Sequence, residues 1–373
     1  MRKLKKTVSA LVVATMLMSL AACGKTTDKT TEATETQSQE TTEAVSEETS
    51  EETVEASGSE AETQTDSDLA YYDGVTYIGQ STWIGYAPLF IAEQKGFFLD
   101  HGADIKVQVI ESAADRRSSL LADQIQCMSS TVDTHIMTDA AGIDIVQVLA
   151  LDTSDGGDGV IAKSEIESIA DLKGKSVALD TTGGASFFWF QYLLREEGMT
   201  LDDLNVQSMG SGDAGSAFVA GNVDAAVTWQ PWLTNATNTD FGKVLVDSTE
   251  TPGIIVDSIG FKSEFVDAYP GTVTALVLGW YDALAYIESD YDDAVAIMAE
   301  GMGQTVEDFE ASLADVKYYD RDMNIEYFDE SNEDSIYAIA ELANTIWIEN
   351  GFYEESEGPV IAEVIDGSFV TAE

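Results

Sequence analysis

The chain has 373 residues, of which 68 are Asp or Glu and 18 are Lys or Arg, so its formal net charge at pH 7 is −50. Its hydrophobic content of 44% is ordinary for a folded protein, which excludes a wholly disordered acidic chain. The shortage of basic residues argues strongly against binding to nucleic acid or to anionic lipid, because phosphate contacts need Lys and Arg.

The first residues have the pattern of a secretory signal. Arg2 and three lysines precede an apolar run, 8–20, that is short for a membrane span. The run ends in Leu20-Ala21-Ala22-Cys23-Gly24, which resembles a bacterial lipobox. We therefore expect 1–22 to be a lipoprotein signal peptide and Cys23 to be lipidated. The alternative is an ordinary signal peptide with an incidental cysteine.

Residues 23–69 are predicted to form a disordered acidic tether behind the lipid. Between Gly24 and Asp68, fourteen carboxylates face two lysines, Thr and Ser are frequent, and no aromatic residue occurs. Such a segment cannot bury enough apolar surface to offset the entropy lost on ordering. The alternative is a functional acidic interaction tail.

The folded body is predicted to begin near Ala70 and to alternate strands with helices. Pro88 and Gly96 bound the first helix. In chain order, the first part comprises strand 75–79, helix 88–95, strand 105–110, helix 116–123, strand 125–129, helix 134–141 and strand 145–151. The second part comprises strands 160–163, 176–180, 206–209, 225–228, 243–246 and 254–259, with helices 186–197 and 216–220. Helices 264–289, 292–301, 306–313 and 333–350 follow.

This alternation predicts an α/β fold with largely parallel sheets. Two stretches rich in turn-forming residues, near 153–159 and 248–253, are interpreted as crossings between two lobes. On this interpretation lobe 1 comprises 70–156 and 252–373, including the C-terminal helices, and lobe 2, 157–251, is inserted into it. Two α/β lobes joined by a two-strand hinge can close over a ligand.

Familiar catalytic motifs are absent from the sequence. His101 and His135 are the only histidines, and neither H-E-x-x-H nor G-x-S-x-G occurs. The Gly174-Lys175-Ser176 segment mimics the end of a phosphate-binding loop, but Ile169 replaces its leading glycine. Cys127, which lacks a disulfide partner if Cys23 is lipidated, is predicted to be a buried strand residue. We therefore expect no enzymatic activity, cofactor or metal.

Aromatic and polar residues cluster where the predicted strands end, the position at which open α/β sheets bind ligands. In this interpretation aromatic rings line one wall, an aspartate selects any amine, and a helix N-terminus receives an anion. Trp232 is left open between cleft and core. The predicted ligand-binding residues are Trp83, Tyr86, Ser130, Thr131, Asp155, Asp158, Thr182, Gly183, Gly184, Ser186, Trp229 and Gln230.

Several segments resemble substrate-binding proteins of bacterial ABC importers, in the nitrate, taurine and aliphatic-sulfonate group that also contains thiamine-precursor binders. The matching segments are 85–98, 155–160, 169–175 and 221–232, which begin Gly-Tyr-Ala-Pro, Asp-Gly-Gly-Asp, Ile-Ala-Asp-Leu and Gly-Asn-Val-Asp. Gln230 departs from the Glu often found before this proline in that group.

The resemblance implies a periplasmic-binding-protein type II fold and a monomer that delivers a small solute to an ABC permease and its ATPase. The expected solute is a small organic anion or zwitterion of the taurine, sulfonate or nitrate type. The alternative is a thiamine-precursor pyrimidine or another cationic or heteroaromatic solute. The expected location is extracytoplasmic, on a lipid anchor, with the outer face of a Gram-positive membrane favoured.

Two other classes of protein remain as alternatives. A pyrimidine synthase on the same fold would need a histidine donor and a cysteine-rich iron site, which two histidines and one body cysteine disfavour. A surface adhesin would suit the tether but not paired lobes with aromatic residues at their strand ends.

Overall fold

The computed structural model describes residues 69–372. The predicted signal peptide, the Cys23 lipidation site and all but the last residue of the predicted tether lie outside these residues. Within the described part of the chain, every helix is too short or too polar to cross a bilayer.

The strands and helices alternate along most of the described chain. The strands are β1 (Thr76–Gln80), β2 (Ile105–Val109), β3 (Cys127–Thr131), β4 (Ile145–Ser154), β5 (Asp158–Lys163), β6 (Ser176–Leu179), β7 (Asn205–Ser208), β8 (Ala225–Trp229), β9 (Gly242–Asp247), β10 (Val256–Lys262) and β11 (Val316–Tyr318). The helices are α1 (Pro88–Lys95), α2 (Phe97–Asp100), α3 (Ala113–Leu121), α4 (Val132–Ala140), α5 (Ala185–Glu196), α6 (Ser211–Val219), α7 (Trp232–Thr237), α8 (Ser263–Ala268), α9 (Pro270–Ser289), α10 (Tyr291–Gly301), α11 (Val306–Ser312), α12 (Arg321–Tyr327) and α13 (Ile336–Glu349).

These strands form two mixed sheets. The first has the order β11-β4-β10-β3-β1-β2, and the second has the order β7-β6-β8-β5-β9. Strand β10 is antiparallel to both β3 and β4, and β5 is antiparallel to both β8 and β9. The prediction of largely parallel sheets was therefore wrong at these strands. The chain leaves the first sheet at the C-terminal end of β4 and re-enters it at the same end of the neighbouring strands. Strand β10 must therefore run in the opposite direction.

The chain passes between the sheets twice, after β4 and after β9. Ser248 links the two crossings, because its hydroxyl lies 2.9 Å from the Ser154 hydroxyl and accepts a hydrogen bond of 2.7 Å from the Gly156 amide. The carboxyl ends of the parallel strands in both sheets therefore meet near one hydrogen-bonded junction.

Proline and glycine set several helix boundaries. Helix α1 has the predicted bounds, and the left-handed φ of +83° at Gly96 ends it. The predicted helix 264–289 was wrong as a single element, because Pro270 divides it into α8 and α9. A proline within a helix removes one backbone hydrogen bond but is tolerated in the first turn, where it lies in α9.

Other predicted elements are displaced or were missed. Strand β3 begins two residues later than predicted, and α3 begins three residues earlier, where the Ser112 hydroxyl accepts a hydrogen bond from the Asp115 amide. The sequence analysis did not predict α7, α12 or β11. Cys127 is the first residue of β3 and is fully buried, as predicted.

The C-terminal helices close the core on two sides. Helices α9 and α10 pack on α1, while α13 packs against α4 and α5, which follow strands of different sheets. Trp347 of α13 stacks on Phe187 of α5 with ring centroids 5.8 Å apart. The Trp347 indole donates a hydrogen bond of 3.2 Å to the Asp133 carbonyl in α4. One buried tryptophan therefore joins helices from both sheets.

Asn324 joins α12 to the first sheet, and its loss should destabilise the protein. Its carboxamide accepts from the Ala150 amide at 2.9 Å and donates to the Ala150 carbonyl at 3.0 Å. Asn324→Ala leaves these buried backbone groups unpaired, so we expect the free energy of unfolding to fall by about 1–3 kcal/mol. Urea denaturation measures this loss, and exposed Asn222→Ala is the control. Equal stability of both variants would contradict the assigned role.

Candidate functional site

A short aromatic segment between β1 and α1 forms one side of the junction. Trp83 donates its indole N–H to Asp152 Oδ1 at 2.9 Å, and the buried Tyr86 hydroxyl donates to Asp257 Oδ1. Gly85 between them permits this approach, because a Cβ at that position would lie 2.1 Å from the Asp152 carboxyl group. The Trp83 ring also lies against Gly157, where a Cβ would meet it at 2.6 Å.

Four buried aspartates surround this junction, and we call them the carboxylate cluster. Asp133, Asp152, Asp158 and Asp257 are each less than 5% exposed. They lie in the first turn of α4, near the end of β4, at the start of β5 and near the start of β10. Two sheets and one helix therefore direct negative charge to the place where the lobes meet.

Burial changes the acidity of these carboxyl groups. Desolvation raises the pKa of Asp133 to about 7 and that of Asp158 to about 6, against hydrogen bonds from neighbouring hydroxyls that lower both values. Desolvation and the charge of Asp257 raise the pKa of Asp152. Desolvation also raises the pKa of Asp257, while the Tyr86 hydrogen bond opposes that change. The cluster therefore takes up protons at a pH where exposed aspartates remain ionised.

The predicted anion site at the start of α5 already faces a carboxylate. The Ser186 hydroxyl in its first turn donates to Asp158 Oδ1 at 3.1 Å. Gly183 and Gly184 lead into the helix with φ of +106° and +100°. Thr182 is exposed, and both its amide and its hydroxyl donate to Asp180, so it forms a local turn. The partial positive charge of the helix end is thus partly satisfied by Asp158.

The other predicted residues occupy different surroundings. Ser130 and Thr131 are buried at the end of β3, and the hydroxyls of Thr131 and Thr134 lie 2.9 Å apart. Asp155 is exposed at the crossing, where its amide donates to the Asp315 carbonyl at 2.9 Å. The role of Ser130, Thr131 and Asp155 as ligand contacts stays a prediction.

The two tryptophans at the end of β8 and the start of α7 lie in different surroundings. The Trp229 side chain is 40% exposed and lies opposite Asp158 in the β5–β8 pairing. Gln230 is engaged locally, because its side-chain oxygen accepts from the Thr234 hydroxyl at 2.9 Å. Trp232 packs on Gly215 of α6, where a Cβ would meet the indole at 2.5 Å. Trp232 therefore packs within its own lobe.

The sequence analysis did not single out Asp133, Asp152 or Asp257 as site residues. The first two lie in the predicted strand-end clusters, but a chain with 68 acidic residues offers no means of distinguishing buried aspartates from exposed ones. Asp257 is inside a predicted strand, and only its pairing with β4 brings it to the junction. The described residues contain no group of three or more His, Cys, Asp or Glu side chains arranged to hold a metal ion.

Two α/β sheets connected by two crossings define the periplasmic-binding-protein fold. The periplasmic aliphatic sulphonate binding protein SsuA of Escherichia coli aligns with a TM-score of 0.64 at 19% identity, over 78% of this chain and 92% of that chain. The periplasmic nitrate-binding protein NrtA of Synechocystis PCC 6803 also aligns at 0.64, with 17% identity, over 80% of this chain and 88% of that one. The predicted fold is therefore confirmed.

The chain belongs to the NMT1-like family, whose sequence pattern matches residues 75–302. A Bacillus subtilis (strain 168) protein named as an aliphatic sulfonates-binding protein is 26% identical over 223 residues, which are 57% of this chain and 66% of that protein. An Escherichia coli (strain K12) protein of the same name is 28% identical over 45% of this chain. The chain thus spans 66% and 53% of the lengths of these two relatives.

A methyl group at Gly85 should disrupt the contact between the aromatic segment and the carboxylate cluster. Gly85→Ala places a carbon within 2.2 Å of three Asp152 side-chain atoms. We expect the free energy of unfolding to fall by about 1–3 kcal/mol, as for other overpacked cores. Urea denaturation measures the fall, and Gly210→Ala, which has open space around the added carbon, is the control. An unchanged Gly85→Ala variant would contradict this packing.

The raised pKa of Asp133 predicts a specific dependence of stability on pH. The folded state holds this proton more tightly than an unfolded chain, so the contribution is present below about pH 4 and is lost as pH rises through about 7. In the wild type this proton makes the free energy of unfolding decrease as the pH rises from 5 to 6.5. Asp133→Asn lacks the proton, so its decrease should be smaller by about 1.4 kcal/mol per pH unit. Urea denaturation at several pH values tests this. Exposed Asp202→Asn is the charge-matched control, and equal slopes in all three proteins would refute the assignment.

Proposed function

We propose that this protein is the extracytoplasmic solute-binding component of an ABC importer. The main support is the junction, where aromatic rings contact buried carboxylates. It lies between two sheets that are connected by two crossings, and the crossings are hydrogen-bonded to each other. Membership of the NMT1-like family supports this function, as do the names of the sulfonate-binding relatives. In this proposal residues 70–156 with 252–373 form one lobe and 157–251 the other.

The proposed solute is a small organic anion or zwitterion. Sulfonate and nitrate appear in the names of related proteins and similar structures. Within this chain, Arg117 of α3 is a candidate for the anionic end, because it is half-buried and takes part in none of the ion pairs among residues 69–372. The start of α5 is a second candidate, although the Asp158 carboxylate lies beside it. The carboxylate cluster favours a solute that also carries positive charge.

Transport on this proposal needs a conformational change and no chemical step. A solute that contacts both lobes binds the closed form more tightly and shifts the population towards it. The crossings near Ser154 and Ser248 are the hinge. The permease and its ATPase recognise the closed form, and the receptor acts as a monomer without a cofactor.

The proposed location follows from the N-terminal sequence. Residues 1–22 would direct export, Cys23 would carry the lipid, and the acidic segment 23–69 would hold the receptor near its permease. This arrangement places the folded body outside the cytoplasm, on the outer face of the membrane.

A thermal-shift screen of the purified protein tests the receptor proposal. The compounds are taurine, alkanesulfonates, nitrate, thiamine precursors, amino acids and amides. A ligand that binds only the folded state stabilises it by about 2.7 kcal/mol at 100 times its Kd. We expect a saturable rise in Tm of about 5 °C for at least one class of compound.

A tryptophan variant then separates specific binding from general stabilisation. Trp83→Ala removes the aromatic wall and should weaken binding of the compound found by about tenfold. Tyr291→Ala removes an exposed ring far along the chain in α10 and should leave the affinity unchanged. Failure of every compound to shift Tm, together with binding to a wall polymer, would favour the adhesin alternative.

A further inference from the structure

Asp152 and Asp257 face each other directly across two strands. They are Cα partners in the antiparallel pairing of β4 with β10, and their side chains are 0% and 2% exposed. Directly opposed residues have Cβ atoms about 4.5–5.5 Å apart, and like charges in such a pair are destabilising. The fold therefore retains two buried acids where neutral residues would be more stable.

Several buried polar atoms near this pair make no hydrogen bond within residues 69–372. Trp83 occupies Oδ1 of Asp152, but Oδ2 is buried and makes no hydrogen bond within residues 69–372. Gln80 at the end of β1 is also fully buried, and both polar atoms of its side chain lack a partner among the same residues. Buried polar atoms are usually paired, so each exception needs an explanation.

Gln80 belongs to the same face of the sheet as the aspartate pair. Ile78 is level with Cys127 in the parallel β1–β3 pairing, which puts Gln80 level with Ser129. Ser129 lies opposite Ile259, two residues from Asp257, and its hydroxyl is also buried without a partner. Since side chains alternate along a strand, these polar groups share one face. Gln80 and Ser129 thus lie on the same face as the aspartate pair, although β3 and β10 separate Gln80 in β1 from Asp152 in β4.

Within the described part of the chain, no Lys or Arg lies at ion-pair distance from this face. None of the ion pairs among residues 69–372 includes a member of the carboxylate cluster. Arg116 is buried nearby, but its guanidinium group donates to the carbonyls of Ile110 and Glu111. The charged and titratable groups that interact electrostatically with Asp152 or Asp257 are Tyr86, Arg116, Asp133, Asp158, Tyr318, Tyr319 and Tyr327. Arg116 is the single positive group in that set.

We propose that Asp152 and Asp257 form a subsite for the protonated amine of the solute, flanked by the rings of Trp83 and Tyr86. An ammonium group carries several N–H donors, which match the free oxygen of Asp152 and the acceptors beside it. Aromatic faces add favourable cation–π contact. This inference rests on the proposed receptor function and specifies its ligand as a zwitterion that carries a protonated amine.

Proton release gives this subsite a characteristic dependence on pH. Burial raises the pKa of both aspartates, so the pair holds a proton that an incoming ammonium group must displace. The affinity for an amine should therefore rise with pH, by about tenfold from pH 6 to pH 8. A solute without a basic nitrogen should show no such rise.

Matched compounds that differ in one group provide the test. Isothermal titration calorimetry compares taurine with isethionate, glycine with glycolate, and putrescine with butanediol, each pair exchanging ammonium for hydroxyl. For every pair that binds, we expect the amine to bind about 10- to 100-fold more tightly, as a charged hydrogen bond predicts. The pH profile is measured for the tightest amine.

The Asp257→Asn variant tests the residues. It keeps the size of the side chain but removes one charge, so it should abolish the preference for amine over hydroxyl and flatten the pH profile. Asp202→Asn, which removes an exposed charge, should change neither. The Tm of Asp257→Asn at pH 8 should equal or exceed that of the wild type, because a buried like-charge pair is relieved.

The outcomes distinguish this inference from the receptor proposal. Equal binding of amine and hydroxyl partners, or tight binding of nitrate or an alkanesulfonate without any amine, would retain the receptor and overturn the amine subsite. An intact amine preference in Asp257→Asn would overturn the assigned residues. A large fall in Tm for that variant with unchanged selectivity would show that the aspartates are structural. Absence of binding by every compound in both experiments would reject the receptor proposal and this inference together.

Discussion

The burial of like charges between two sheets is the constraint on which the junction depends. Asp152 and Asp257 lie opposite each other in β4 and β10, where each would favour water over the protein interior. Trp83 and Tyr86 each donate one hydrogen bond to this pair, which reduces the unfavourable free energy without removing it. The raised pKa values of both aspartates follow from this arrangement, and so does the amine subsite that we propose.

The architecture around the pair keeps the acids together. Strand β10 returns to the first sheet antiparallel to its neighbours, and this direction brings Asp257 beside Asp152. Ser248 ties the two crossings, while Trp347 packs α13 against helices from both sheets. A proposed hinge at the crossings must therefore move while α13 maintains or rearranges its apolar contacts with α4 and α5.

The charge of the chain bears on the choice of solute. A formal net charge of −50 produces a negative potential around the molecule, which attracts cations and opposes the approach of anions. The start of α5 has its own carboxylate neighbour in Asp158, so it is a weaker anion site than its backbone alone would be. The acidic junction therefore favours a solute that carries positive charge over a simple anion.

The sequence by itself determined the α/β class and the bounds of α1, because hydrophobic periodicity, proline and glycine act over a few neighbouring residues. It also placed Trp83, Tyr86 and Asp158 among the strand-end residues that the structure brings to the junction. The antiparallel course of β10 and the selection of Asp133, Asp152 and Asp257 from 68 acidic residues were decided only by the tertiary structure. Burial and strand register depend on contacts between distant parts of the chain, so local sequence patterns do not determine them.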